Sequence, residues 1–282
     1  MIALTGATGQ LGQFVVEELL KTIAAKQIVA IVRNPAKAEA LSKQGILVRQ
    51  ADYGDQAALT QALAGVDKLL LISSSEVGQR AAQHRNVINA AKAAGVKFIA
   101  YTSLLHADKS PLGLHVEHVE TEKMLAESGI PYALLRNGWY SENYLASAPA
   151  ALAHGVFIGA AGDGKIASAT RADYAAAAAR VISEEGHAGK VYELAGDNGW
   201  TLSELAALLS KASGKDIVYQ NLSEADFAAA LKGAGLPDVF ANLLADSDAG
   251  AAKGGLFDDS KTLSKLIGRP TTPIADNVNA LA

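Results

Sequence analysis

The sequence predicts an α/β protein, in which a doubly wound parallel sheet is joined to a smaller, mostly helical carboxyl-terminal lobe. Three observations carry this prediction. Short apolar runs alternate with amphipathic stretches, a glycine-rich turn joins the first run to the first amphipathic stretch, and half of the 282 residues are apolar. Strands and helices that alternate at this spacing favour right-handed βαβ units, with helices on both faces of the sheet.

The first half of the chain contains six short apolar runs that predict buried strands. The amphipathic stretches between them predict the covering helices, and several end in a glycine, as helices commonly do: Gly45, Gly65, Gly95 and Gly129. The strands are predicted at 2–4, 28–32, 46–49, 69–72, 98–101 and 132–135.

The pattern is looser beyond residue 135. Residues 137–155 predict a loop entering a helix, 156–170 a hairpin, and 171–186 a helix that leads to a strand. The rest is mostly helical, with an irregular glycine-rich segment near the end. We therefore predict a core domain over 1–136, to which the chain returns at about 156–196, and a smaller substrate-side lobe over 137–155 and 197–282.

Composition argues against several classes of function. The 25 basic and 29 acidic residues are interspersed and give a net charge of −4, which argues against nucleic acid as a ligand. Without cysteine, the chain has no disulfide and no thiolate metal site. The start "MIALTGATG" lacks a secretory signal's basic region, and the apolar runs are too short to span a bilayer. We expect a cytoplasmic protein without a membrane partner; whether it forms a homodimer stays open.

The segment "TGATGQLG", residues 5–12, predicts an anion site between the first strand and the first helix. The amino end of a helix presents free N–H groups and partial positive charge. Gly6 permits the tight turn, Gly9 lets a pyrophosphate touch the backbone, and Gly12 lets the helix pack closely on the strand. The spacing is Gly-x-x-Gly-x-x-Gly, and it predicts a Rossmann-type dinucleotide site.

The end of the second predicted strand indicates which dinucleotide binds. A carboxylate there would accept a hydrogen bond from the ribose 2′-OH of NAD. This chain has Arg33 instead, in "IVAIVRNP", and no acidic residue follows before Glu39. A guanidinium can fork onto a 2′-phosphate with charge-assisted hydrogen bonds. The sequence therefore favours NADP(H), with a solvated strand-end charge as the alternative for Arg33.

Several segments, in this order, resemble the NmrA-like group of atypical short-chain dehydrogenases, and the resemblance covers essentially the whole chain. It implies a Rossmann-type fold, NADP(H) as cofactor and, since the chain is most similar to quinone-reducing members, a small quinone as substrate. The segments are "TGATGQLG" (5–12), "RNPAKAEAL" (33–41), "ADYGD" (51–55), "NVINAAKAAGVKFIAYTS" (86–103), "SGIPYALLRNGWYSEN" (128–143) and "RADYAAAAARVI" (171–182).

The resemblance also implies roles for individual residues. Asp52 would lie near the adenine, and Asn137 stands where the group usually has proline. The cofactor-binding residues would be Gly6, Ala7, Thr8, Gly9, Gln10 and Leu11 at the pyrophosphate, Arg33 at the 2′-phosphate, Ser73, Ser74 and Ser75 along the cofactor, Asn137, Gly138, Trp139, Tyr140, Ser141 and Glu142 past the nicotinamide, and Ala169, Thr170, Arg171, Ala172 and Asp173 on its far side.

Ordinary short-chain dehydrogenases carry a Tyr-x-x-x-Lys pair, whose tyrosine donates a proton. In "HVEHVETEK" the lysine is present as Lys123, but Val119 stands four residues before it. Lys123 is expected to hold a cofactor ribose, with a solvated surface lysine as the alternative. Reduction of a quinone yields a phenolate-like anion that water can protonate, so a site without the tyrosine suits a quinone. The protein would then contribute proximity and orientation.

Walls for a quinone ring are predicted in "NGWYSENY". Trp139, Tyr140 and Tyr144 offer flat faces, and Asn143 offers an amide that can polarise a carbonyl, so Tyr140 and Asn143 are the predicted catalytic residues. Packing of these aromatics in a core is the alternative. Thr102 and Ser103, after the fifth strand, would orient substrate or cap a turn.

The sequence is also compatible with two other functions, and one further group of residues has the spacing of a metal site. A non-enzymatic NADP(H)-sensing regulator would also keep the cofactor loop and lack the tyrosine, and a reductase of other carbonyls could use Tyr140 as its acid. His115, His118 and Glu122 are spaced like metal ligands on one helical face. A solvated face explains them better because no further ligand is evident, so no metal is predicted.

Overall fold

The computed structural model describes residues 1–280. Within them the chain forms nine strands, and each strand predicted in the first half is present, with ends shifted by at most three residues. The strands are β1 (Ile2–Thr5), β2 (Ile28–Val32), β3 (Leu47–Gln50), β4 (Lys68–Leu71), β5 (Phe98–Leu104), β6 (Tyr132–Asn137), β7 (Val156–Gly159), β8 (Val191–Leu194) and β9 (Val218–Asn221).

Thirteen α-helices occur within the same residues, together with two short 3₁₀ segments at Ala25–Gln27 and Pro35–Ala38. None of the helices in residues 1–280 combines the length and the apolar character that a membrane crossing requires. The helices are α1 (Gln10–Leu20), α2 (Glu39–Lys43), α3 (Gln56–Ala62), α4 (Arg80–Ala93), α5 (His115–Ser128), α6 (Ser141–Leu145), α7 (Ala148–His154), α8 (Arg171–Ser183), α9 (Leu202–Ser213), α10 (Glu224–Gly233), α11 (Asp238–Ala252), α12 (Thr262–Ile267) and α13 (Ile274–Asn279).

Seven of the described strands form one sheet in the order β3-β2-β1-β4-β5-β6-β8, and the pairings from β3 to β6 are parallel. The chain order reverses between β1 and β4, which is the switch point where doubly wound sheets bind their ligands. The Ile72 amide donates to the Thr5 hydroxyl over 3.1 Å and fixes the two strand ends there. The predicted fold class is confirmed.

The chain divides into two compact units, and the first comprises Met1–Leu104, Val116–Asn137 and Arg171–Tyr192. Its core is the apolar face of the parallel strands with the helices packed on it. Leu69, Leu71, Ile99 and Tyr101 are fully buried there. Burial of each such side chain contributes about 1.5–3 kcal/mol, so the sheet end that carries the switch point is held rigidly.

The second unit comprises Leu105–His115, Gly138–Thr170 and the chain from Glu193 to residue 280. The predicted hairpin over 156–170 is wrong, because β7 pairs in parallel with β9 while Ile166 bridges Trp200. A parallel pair needs a crossover, which α9 supplies. The proposed domain roles stay predictions, and Leu281 and Ala282 of the predicted lobe lie outside the described residues.

Candidate functional site

The turn between β1 and α1 has the backbone shape of an anion cradle. Gly6 has a φ of 62°, a left-handed conformation that favours glycine, and the Gly9 amide donates to the Gly6 carbonyl over 2.9 Å. Gly9 is the N-cap of α1, and within the described chain no side chain caps it. The first N–H groups of α1 are therefore available to a ligand at its positive end.

The same turn leaves no space for side chains on its inner face. A Cβ atom on Gly12 would lie 2.2 Å from the Gly6 carbonyl oxygen and 2.8 Å from the Ala7 Cα, and one on Gly9 would lie 3.1 Å from the same oxygen. Bare backbone at these positions fits a diphosphate, which needs the main chain to approach closely. Ala7 and Leu11 are buried, whereas Thr8 is half-buried and Gln10 exposed.

Arg33 follows β2 directly and keeps 63% of its side chain exposed. Its Nη1 donates to Glu76 Oε1 over 2.7 Å, and its Nε lies 4.0 Å from Asp52 Oδ2. No acidic residue follows Arg33 along the chain before Glu39, but in space Arg33 meets Glu76, which comes from the segment after β4. Its contact with a 2′-phosphate stays a prediction.

The segment Ser73–Ser75 follows β4 and is held by side chains beneath it. The Ser73 amide donates to Thr102 Oγ1 over 2.8 Å, and Arg80 Nε donates to the Ser74 carbonyl over 2.6 Å. Thr102 therefore supports this segment and does not merely cap a turn. With its backbone fixed from below, the segment is a rigid edge beside the switch point, as a cofactor-lining loop requires.

His84 supports the same segment from a fully buried position on α4. Its Nε2 accepts the Ser74 amide over 2.9 Å, so Nδ1 carries the proton and faces Thr121 Oγ1 at 3.0 Å. The Thr121 hydroxyl in turn donates to the Glu117 carbonyl over 2.8 Å. Burial, together with the charge of Arg80, lowers the pKa of His84 to about 3. His84 is therefore neutral at pH 7 and acts as an acceptor.

The buried histidine makes stability depend on pH. The unfolded chain takes up this proton near pH 6.5, whereas the folded chain resists it until about pH 3, so acid stabilises the unfolded state over that interval. We expect His84→Gln to reduce the loss of unfolding free energy between pH 6.5 and pH 5 by about 1.5 kcal/mol. Urea unfolding at both pH values measures this, with exposed His154→Gln as control. Equal losses in wild type and His84→Gln would contradict it.

Helix α5 carries the predicted metal-like trio, and the solvated-face interpretation was wrong for two of its members. His118 is buried and lies 2.7 Å from the Tyr101 hydroxyl, and burial holds its pKa well below its usual range. Glu122 binds Arg136 Nη2 over 2.7 Å and accepts Ser103 Oγ over 2.6 Å. Ser103 therefore donates to a partly buried ion pair between Glu122 and Arg136.

The predicted lysine of the short-chain dehydrogenase pair lies on the outer face of α5. Lys123 is exposed, and Val119 is half-buried one turn before it. A role for Lys123 at a cofactor ribose stays a prediction. The valine leaves α5 without a proton donor at the position of the missing tyrosine.

Asn137 ends β6 with a buried side chain whose Oδ1 has no hydrogen-bond partner among the described residues. A buried unsatisfied carbonyl costs about 1–3 kcal/mol, so its position favours a ligand that donates an N–H or O–H. Of the predicted far-side residues, Arg171, Ala172 and Asp173 form the first turn of α8, where the carboxylate of Asp173 is fully buried. An acidic group there is favoured by the helix dipole.

In the second unit, the segment after β6 lies against Ala169, one of the predicted far-side residues, and against its neighbour Ser168. The Ala169 amide donates to the Trp139 carbonyl over 3.2 Å, and the Ser141 amide donates to the Ala169 carbonyl over 2.9 Å. Ser141 Oγ also lies 2.8 Å from Ser168 Oγ. The structure thus brings together two stretches that lie about thirty residues apart in sequence, while Gly138 is anchored to the Leu194 carbonyl over 2.7 Å.

Trp139, Asn143 and Tyr144 line a cavity of about 40 Å³ within the second unit. Tyr144 is fixed rather than free, since its hydroxyl donates to Asp248 Oδ1 over 3.1 Å and its ring meets Trp200 edge to face. Burial raises the pKa of both Tyr144 and Asp248. A cavity of this size holds one or two water molecules, so Trp139 and Tyr144 chiefly pack the unit. Tyr140 is half-buried.

Comparison with known proteins gives matches over the full length. Residues 1–269 match the model of the NmrA-like family. The chain is 81% identical to quinone oxidoreductase 2 of Escherichia coli over 281 residues, which cover 100% of this chain and 98% of that protein. A crystal structure of the E. coli NADPH-dependent quinone oxidoreductase complexed with NADPH superposes with a TM-score of 0.98 and covers 100% and 99% of the two chains. A Citrobacter triphenylmethane reductase complexed with NADP(H), 42% identical, superposes with a TM-score of 0.96 and covers both chains completely.

Proposed function

This chain belongs to the NmrA-like family, and we propose that it is an NADPH-dependent quinone oxidoreductase that passes hydride to small quinones without a flavin. The observation that carries the proposal is the intact backbone cradle at Gly6, Gly9 and Gly12 in a chain so similar to E. coli quinone oxidoreductase 2. Arg33 at the tip of β2 supports NADPH over NADH.

The residues present fit this cofactor. The amino end of α1 would hold the diphosphate, Arg33 the 2′-phosphate, and Asn137 offers an unsatisfied buried acceptor at the end of β6. When bound, reduced nicotinamide supplies a hydride. Lys123 and the segments 73–75, 138–142 and 169–173 are proposed to complete the binding site.

The missing proton donor supports a quinone as acceptor. A ketone becomes an alkoxide nearly as basic as hydroxide, so its reduction needs a positioned acid. A quinone becomes a hydroquinone anion with a phenol-like pKa of about 10, which water protonates readily. Val119 is therefore compatible with quinone reduction, and the chain contributes proximity and orientation.

Asn143 and Tyr140 are the proposed catalytic residues. The Asn143 amide would donate to a quinone oxygen as negative charge develops there, so we expect Asn143→Ala to lower kcat by about 100-fold.

The Tyr140 ring would form a wall without donating a proton, so Tyr140→Phe should keep kcat within about twofold. Steady-state kinetics with a naphthoquinone measure both, with the NADPH Kd as the control for cofactor binding. A large loss in Tyr140→Phe that depends on pH would assign it the acid role instead.

The function is tested by following NADPH oxidation with benzoquinones and naphthoquinones, using protein shown to contain no flavin. We expect turnover with NADPH and much slower turnover with NADH. A chain that binds NADPH but oxidises it with no quinone is not this enzyme. In that case an NADP(H)-sensing regulator becomes the better interpretation, and it requires unequal affinities for the reduced and oxidised cofactor together with a protein partner.

A second class of acceptor is favoured by the same missing acid. A triarylmethyl cation that accepts hydride becomes a neutral product and needs no proton at all, so the absence of a tyrosine donor costs nothing in that reaction. The 42% identity to triphenylmethane reductase supports including such a dye in the panel. Bleaching of the dye by NADPH, at a rate compared with that of the quinones, ranks the two acceptors.

A cytoplasmic location and a homodimer also belong to this proposal. The cytoplasmic assignment is supported by the proposed use of NADPH as reductant. Light scattering of the purified chain at several concentrations measures the assembly, and cell fractionation measures the location.

A further inference from the structure

The guanidinium of Arg33 has a carboxylate on each of its two binding edges. The end edge contains Nη1, which donates to Glu76 Oε1 over 2.7 Å, and the side edge contains Nε, which lies 4.0 Å from Asp52 Oδ2. A phosphate binds arginine best through two parallel N–H donors along one edge. A phosphate that binds Arg33 through either edge therefore meets a nitrogen, Nη1 or Nε, that already faces a carboxylate.

Glu76 is the better-fixed member of its pair with Arg33. Its Oε2 accepts from Gln83 Nε2 over 2.7 Å, and its amide donates to Ser74 Oγ over 3.2 Å. Gln83 is buried on α4, and Arg80 and His84 hold the Ser74 backbone from below. The carboxylate consequently keeps its place when the largely exposed guanidinium of Arg33 turns away.

We propose that Glu76 limits the preference for NADPH over NADH by competing with the 2′-phosphate of NADPH for Arg33, an inference that rests on the proposed NADPH dependence. In the free protein the carboxylate of Glu76 binds the guanidinium of Arg33. A phosphate must therefore displace Glu76 or share the guanidinium with it. When the cofactor leaves, the carboxylate recaptures Arg33 and so favours release of the 2′-phosphate. NADH carries a neutral 2′-OH at that place and does not enter this competition.

The sign of the effect follows from the charges. Glu76 could instead orient Arg33 toward phosphate, and its removal would then weaken binding. Orientation by an exposed ion pair contributes little, however, whereas the 2.7 Å hydrogen bond between Arg33 and Glu76 must be broken or shared before a phosphate can take the guanidinium. Removing the charge of Glu76 should therefore tighten binding of nucleotides that carry the 2′-phosphate.

The test uses the full chain and two nucleotide fragments, 2′,5′-ADP with the phosphate and 5′-AMP without it, measured by calorimetry. We expect Glu76→Gln to lower the Kd for 2′,5′-ADP about threefold to tenfold and to leave that for 5′-AMP within about twofold. The matched control is Glu39→Gln, which removes one charge from an exposed carboxylate that pairs with Lys43 at 2.8 Å, and it should change neither Kd.

A double variant separates competition for Arg33 from general repulsion. In an Arg33→Gln background, Glu76→Gln should improve 2′,5′-ADP binding by less than about twofold, because no guanidinium remains to compete for. A gain of equal size there, an equal gain for 5′-AMP, or no gain in Glu76→Gln alone would overturn the proposal. Wild type that binds neither fragment would overturn the proposed NADPH dependence as well, whereas selective binding without quinone turnover would leave this inference standing.

Discussion

Gly12→Ala is expected to abolish binding of NADPH, with a loss of at least about 100-fold in affinity. The new Cβ would lie 2.2 Å from the Gly6 carbonyl oxygen and 2.8 Å from the Ala7 Cα. These are backbone atoms, so no side chain can rotate to relieve the contact, and the turn must move away from α1. The N–H groups that would surround the diphosphate then lose their common direction. Nucleotide titration followed by fluorescence measures the loss.

The control for this variant is Gly233→Ala, at the end of α10. A Cβ there meets no atom within 4 Å, and alanine stabilises a helix relative to glycine by about 1 kcal/mol, so binding should be unchanged. If Gly12→Ala fails to fold, Gly9→Ala decides the matter. Its Cβ lies 3.1 Å from the Gly6 oxygen, a contact that a small shift relieves, yet it stands where the diphosphate must approach. Undiminished binding in Gly9→Ala would show that the phosphates lie elsewhere.

The parallel sheet could be predicted because inner strands such as β1 (IALT) and β2 (IVAIV) are contiguous and buried along their whole length, whereas the edge strand β3 (LVRQ) is only partly buried. Strand ends were harder to place where a buried strand carries polar residues. β5 continues through Thr102 and Ser103, whose hydroxyls bind the Ser73 amide and the Glu122 carboxylate. β6 continues through Arg136, which pairs with Glu122. A polar residue is tolerated inside a buried strand when its partner is supplied from elsewhere in the fold, and local sequence does not show that partner.

The same limit explains the errors on α5 and at 156–170. His118 and Glu122 look like a solvated stripe because helical spacing alone says nothing about what the stripe faces, here Tyr101 and Arg136. The turn at Gly162 gives a hairpin signal, but the partner of β7 is β9, some sixty residues onward. Pairing between distant segments depends on tertiary packing rather than on turn residues.

The candidate site shows a corresponding division. The glycine turn was predictable, because its conformation and its close contacts are properties of eight consecutive residues. Glu76 could not be assigned to Arg33 from the sequence, since 43 positions separate them. One signal was available in principle, because the segments after β2 and after β4 both emerge at the carboxyl edge of the sheet, within reach of each other.

Arg33→Gln is expected to raise the Kd for NADPH about tenfold to 100-fold and to change the Kd for NADH by less than about threefold. Each charge-assisted hydrogen bond to a phosphate contributes about 1.5–3 kcal/mol. Part of this is offset because Arg33 must give up its 2.7 Å contact with Glu76, so the expected loss corresponds to roughly one such bond. Calorimetric titration with both coenzymes measures the ratio.

Arg85→Gln is the matched control, because Arg85 is also an exposed arginine paired with one carboxylate, Glu120, at 3.2 Å. It removes the same charge from the same unit and should leave both affinities unchanged. The loss in Arg33→Gln should also shrink as salt is raised, since screening weakens an exposed phosphate contact in the wild type. Equal losses for NADPH and NADH in Arg33→Gln would mean that the arginine supports the loop without reading the 2′-phosphate. The preference for NADPH would then have to come from other residues, and Glu76 would not compete with the 2′-phosphate for Arg33.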